Sequence, residues 1–101
     1  MPKGYWVARI DVADMDTYKQ YVAANAQPFA QYGARFLVRA GTFQPMEGSH
    51  RSRNVVIEFP SYQAALDCYR SPAYREAMAL RRDAGMSDLV IVEGYEGPQP
   101  G

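Results

Sequence analysis

Alternation with a period of two opens the chain. In Gly4-Tyr5-Trp6-Val7-Ala8-Arg9-Ile10-Asp11-Val12, one parity (Trp6, Ala8, Ile10, Val12) is wholly apolar and the other is mixed, which predicts a strand with one buried face. Asp14 then stands as an N-cap, with Asp16 in the first turn where the helix dipole favours negative charge. Tyr18, Tyr21, Val22, Asn25, Phe29 and Tyr32 recur at helical spacing, and Gly33 supplies the stop. Pro28, inside this pattern, predicts a kink or short break.

Alternation returns in Arg35-Phe36-Leu37-Val38-Arg39-Ala40, a second strand. Residues 41 to 53, with Gly41, Pro45 and Gly48, read as a long connection or hairpin arm. Asn54–Phe59 is a third strand, stopped by Pro60. Ser61 caps a helix carrying Ala65, Leu66 and Tyr69, and Ser71-Pro72 restarts it, because proline suits a first helical turn. Ala73, Ala77, Leu80 and Ala84 give the last helix its stripe, with Gly85 as the stop and Asp88–Glu93 as a fourth strand. The order βαββαβ predicts an α+β, ferredoxin-like domain. Its sheet has four antiparallel strands, the first and third central, with both helical segments on one face.

That arrangement leaves one sheet face bare. Trp6, Ala8, Ile10, Phe36, Val38, Val55, Ile57, Phe59, Val90 and Val92 form the better apolar set and are assigned to the helix side. The opposite parity carries Tyr5, Val7, Leu37, Val56, Leu89 and Ile91, with Arg9, Asp11, Arg39, Glu58 and Glu93. Four strands at about 4.8 Å spacing and roughly 20 Å long project about 400 Å². Half of that being apolar is a patch of the size that marks an interface or ligand groove. A second copy packed about a two-fold axis covers it most simply, giving a homodimer: a dimeric α/β barrel with a cavity between or beside the sheets.

Composition narrows the function classes. The chain has 101 residues, 48% apolar, enough for one domain (1–94) followed by a Gly/Pro-rich tail (95–101) expected to be disordered. Eleven basic residues balance eleven acidic ones, so no cationic field draws nucleic acid or a membrane surface. No apolar run approaches a bilayer span, and the N-terminal residues do not form a signal peptide. One cysteine, Cys68, forms no internal disulfide and suggests a reduced, cytoplasmic setting. His and Cys occur once each, so neither a metal site nor a bound cofactor is expected.

Candidate chemistry falls on the bare face. Tyr5, Arg9, Arg39, Glu58 and Glu93 are taken as lining the cavity, with His50 on the long connection as an outside candidate base. Strand order predicts Arg9 beside Glu58 as a structural ion pair and leaves Arg39 free for an anion. Two readings follow. One is a homodimer binding a small, partly apolar organic ligand, with cofactor-free catalysis by residues not yet assignable. The other is a non-catalytic interaction module whose sheet-face charges only pair with each other.

Several blocks also resemble the domain-of-unknown-function family 1330 (DUF1330). They are Lys3-Gly4-Tyr5-Trp6, Tyr21-Val22-Ala23-Ala24-Asn25, Tyr32 to Arg39, Val55-Val56-Ile57-Glu58-Phe59-Pro60-Ser61, Tyr69-Arg70-Ser71-Pro72-Ala73-Tyr74 and Val92-Glu93-Gly94. The resemblance runs from about residue 3 to 94 and implies membership of the dimeric α/β-barrel superfamily. That superfamily includes monooxygenases, haem-degrading enzymes, isomerases and dehalogenases, but the family carries no agreed catalytic set to place on these residues.

Overall fold

A computed structural model describes residues 1–101. β1 (Gly4–Val12) buries Trp6, Ala8 and Ile10 and leaves the residues between them partly or fully exposed, as its alternation predicts. α1 (Met15–Gln31) begins at Asp14, whose side chain accepts from the Thr17 backbone N–H at 3.2 Å. It ends before Gly33, which takes φ +74°, a conformation that costs other residues 1–2 kcal/mol by order of magnitude. The break expected at Pro28 does not occur, and the helix is continuous through it. The Pro28 ring is fully buried, so packing offsets the one backbone bond that proline forfeits.

β2 (Arg35–Arg39) and β3 (Arg53–Phe59) are joined by the long arm, residues 40–52. α2 (Tyr62–Arg70) and α3 (Pro72–Arg81) meet at Ser71. The Ser71 hydroxyl donates to the Cys68 carbonyl at 2.7 Å and accepts from the Tyr74 N–H at 3.2 Å, so one side chain closes one helix and caps the next. Tyr74 is the large buried side chain of α3; of the expected stripe Ala73, Ala77, Leu80 and Ala84, Ala77 and Ala84 are buried while Leu80 is exposed. Nor does Gly85 end that helix: it begins β4 (Gly85–Glu93). Glycine is needed there because a Cβ would fall on the Asp11 carbonyl, in the β1 residue next to its partner Val12.

The four strands run antiparallel in the order β2-β3-β1-β4, the ferredoxin-like arrangement, with the helices on one face. Trp6 centres the core between sheet and helices. Its ring lies 4.9–5.7 Å from those of Tyr74, Phe29, Phe59 and Tyr69, and its indole N–H donates to the Ala65 carbonyl. No helix is long and apolar enough to cross a membrane.

Register corrects two of the expected faces. Ile91 lies opposite Trp6 and Leu89 opposite Ala8, so these two point to the helices, while Val90 and Val92 face the bare side. Four consecutive apolar residues (89–92) carry no alternation, and only pairing with β1 sets their direction. On β2, a bulge between Phe36 and Val38 inverts the parity: Val38 pairs with Val56 on the bare face, and Arg39 with Val55 on the helix side.

Candidate functional site

The bare face is a ladder of mutually satisfied polar groups set among valines. Tyr5 donates its hydroxyl to the Glu58 carboxylate at 3.1 Å, and partial burial together with that carboxylate holds the Tyr5 phenol above its ordinary pKa. Arg9 does not pair with Glu58. The register puts Arg9 between Asn54 and Asp88, where its guanidinium is 3.7 Å from Asp88 and donates to the Ser49 carbonyl. Antiparallel pairing of β1 with β3 sets Glu58 opposite Tyr5 instead, which spacing within each strand could not reveal.

Arg51, from the arm, bridges Asp88 at 2.7 Å and Asp11 at 2.9 Å, and Asp11 also accepts from the Ser52 N–H. The Ser52 backbone bond, followed by Arg51, holds the Asp11 carboxyl below its usual range; Arg51 does the same for Asp88. Together with the Arg9–Ser49 bond, these contacts tie the arm to the ends of β1 and β4. His50 lies on the exposed arm with its ring 6.3 Å from that of Phe43. Glu93 is exposed at the end of β4, opposite Gly4 and on the helix-side parity, away from Arg9 and Glu58. Of the six predicted residues, then, only Tyr5 and Glu58 come together, and Arg39 and Glu93 leave the face on which they were expected.

A second concavity lies on the other side of the sheet, between its helix-facing surface, α1 and the end of α3. Its volume is about 30 Å³, its mouth is open, and eleven of its sixteen lining residues are apolar, Trp6, Phe29 and Leu89 among them. The polar members are Asn25, Ser87, Arg39, Arg53 and Arg81. Asn25 projects from the apolar stripe of α1 into this cleft and is only 5% exposed.

The three arginines reach the cleft from different elements. Arg39 arrives through the bulge, immediately before Ala40, whose φ of +57° is unusual for a residue other than glycine. Arg53 is two residues before Val55, the cross-strand partner of Arg39, and so is its diagonal neighbour. Arg81 ends α3. Each guanidinium lies over a ring: Arg39 on Phe36 at 4.1 Å, Arg53 on Tyr18 at 5.2 Å and Arg81 on Tyr21 at 5.3 Å. None makes an ion pair, and the Arg53 Nε–H is buried without a partner. Burial holds the Tyr18 phenol above its ordinary pKa, against the opposing charge of Arg53, so it remains a hydroxyl donor at neutral pH.

Sequence reasoning placed Asn25 in the helical stripe and passed over it; the signal was a polar residue in an otherwise apolar stripe. Arg53 and Arg81 carried none, because each ends a segment whose direction only tertiary pairing decides. No group of three or more His, Cys, Asp or Glu side chains stands together to hold a metal ion.

A four-stranded sheet with helices on one face and an arginine-rimmed cleft beneath them defines a small ferredoxin-like α+β protein. The chain belongs to the DUF1330 family, a domain of unknown function, whose pattern matches residues 3–95. Among solved structures, a protein of unknown function from Rhodopseudomonas palustris, RPA0582, is similar with a TM-score of 0.77 and 21% identity, over 95% of this chain and 85% of that one. SnoaB, a cofactor-independent oxygenase from Streptomyces nogalater, is similar with a TM-score of 0.66 and 15% identity, over 99% and 97% of the two chains. No curated protein matches the sequence.

Proposed function

We propose that this protein works as a homodimer in which each protomer takes up a small, partly apolar organic molecule in the cleft between α1 and the sheet. The observation that carries this reading is Arg53: a guanidinium whose buried Nε–H has no partner, at the wall of an apolar cleft with an open mouth. Leaving a buried polar group unpaired costs about 1–3 kcal/mol, a cost a folded chain bears where a ligand or water completes the bond.

The cleft supplies an amide, tyrosine and serine hydroxyls and guanidinium groups, all able to donate to an oxygen, but no carboxylate or imidazole to act as a base. Such a donor set stabilises a developing oxyanion. Catalysis in this reading acts on an acidic substrate that gives its proton to solvent water and is held as its anion by these donors, on a fold that also carries a cofactor-independent oxygenase. The bare face has a different role in this reading. Its charges pair among themselves, and Val7, Val38, Val90 and Val92 remain exposed around them, as expected of a surface that meets its own copy.

A thermal-shift screen of flat aromatic and alicyclic compounds tests the cleft. Compounds that raise the Tm of the wild type and perturb the signal of Trp6, the sole tryptophan, should lose both effects on Asn25→Leu. A flat response across the screen, or hits unaffected by Asn25→Leu, contradicts the proposal.

A further inference from the structure

We infer that the ligand of this cleft is a planar organic acid, bound edge-on with its carboxylate at the arginines. The inference rests on the proposed function, that the cleft holds a small molecule, and adds what that molecule must be. The chain is neutral overall, yet every ionisable side chain of formal charge that lines the cleft is an arginine: Arg39, Arg53 and Arg81. The three ion pairs of the protein are all made by Arg9 and Arg51 on the opposite face. Three like charges gathered without a counter-ion repel one another, and an anion relieves that repulsion.

The stacking shows how the anion is met. A guanidinium held beside a ring and making no ion pair keeps its charge for an incoming anion, and the edge of its planar fork of N–H groups can engage a carboxylate with two parallel bonds. Arg53 offers the firmest such edge, since its Nε–H is buried and unpartnered. Flatness follows from the space. A volume of about 30 Å³ admits only about two waters, so only a thin edge of the ligand enters against the apolar wall while the acid stays at the mouth. The exposed Arg39 side chain, beyond the bulge and 4.1 Å from the Phe36 ring, adds its charge at the rim.

The test compares 2-naphthoate with 2-naphthamide, nearly equal in shape and different in charge, by titration calorimetry on the full chain. The acid should bind about tenfold or more tighter than the amide at low salt, and the preference should shrink in high salt. Arg53→Gln should abolish the preference, and Arg39→Gln, on the exposed rim and harmless to folding, should reduce it several-fold. Equal binding of acid and amide, or a preference that survives both substitutions, overturns the inference and leaves the cleft itself standing. Binding of neither compound overturns the inference together with the proposed function.

Discussion

Replacing Arg53 by methionine should make the ligand-free protein more stable while removing its affinity for an acid. The buried Nε–H has no partner, and such a donor costs about 1–3 kcal/mol. Against this, the guanidinium over the Tyr18 ring, 5.2 Å away, contributes about 0.5–1 kcal/mol. Methionine keeps most of the stem's packing and can place its sulfur against the same ring. The balance is a gain of about 1 kcal/mol, which in a domain of about 100 residues raises Tm by roughly 4–8 °C. Urea unfolding followed through Trp6, 1% exposed in the folded chain, measures it in phosphate-free buffer at matched protein concentration. Destabilisation by more than about 1 kcal/mol would show that Arg53 holds the fold together, and would refute the view that it is kept for a ligand.

Further outcomes follow from the same geometry. Tyr21→Phe and Tyr74→Phe each strand the other hydroxyl of a buried pair 2.8 Å apart, so each should cost about 1–3 kcal/mol, and the double variant should cost less than the sum in chemical denaturation. Val90→Asp, at a position 60% exposed on the bare face, should leave the monomer folded by circular dichroism but give a single-chain mass in light scattering; an intact dimer would exclude that face as the interface. Asp11 and Asp88 titrate below their ordinary value of 3.8, so their pairing with Arg51 stabilises the arm fully above that value and is lost as pH falls through the lowered pKa. The protection of the amides of residues 49–52 against exchange, relative to the unstructured rate at the same pH, should therefore fall below about pH 4. Burial pushes the Cys68 thiol up to about 12, so it should resist disulfide reagents at pH 8 until the chain unfolds.

The order of elements, the capping by Asp14, Ser61 and Ser71, and the buried parity of β1 and β3 were legible because local chemistry decides them. The cleft was not, for two physical reasons. Along 89–92 every residue is apolar, so the direction of Leu89 and Val90 is a property of pairing with β1 and leaves no trace in the order of residues. On β2, one extra residue at the bulge reverses Arg39, and neither glycine nor proline marks the spot. Simple alternation thus carried Arg39 to the wrong face, and with it the expected position of the site. Asn25 was visible, but an asparagine in a helix stripe takes on meaning only once the cleft it lines is seen.

Where a ligand binds is the point on which the account stands. Amide and side-chain resonances recorded during titration with 2-naphthoate should shift at the Trp6 indole, the Asn25 side-chain amide, Arg39, Arg53 and Ser87, and remain still at Val7, Val56 and Val90. Shifts confined to those valines, to Tyr5 and Glu58, or to the arm would place the ligand on the opposite side of the sheet and contradict it.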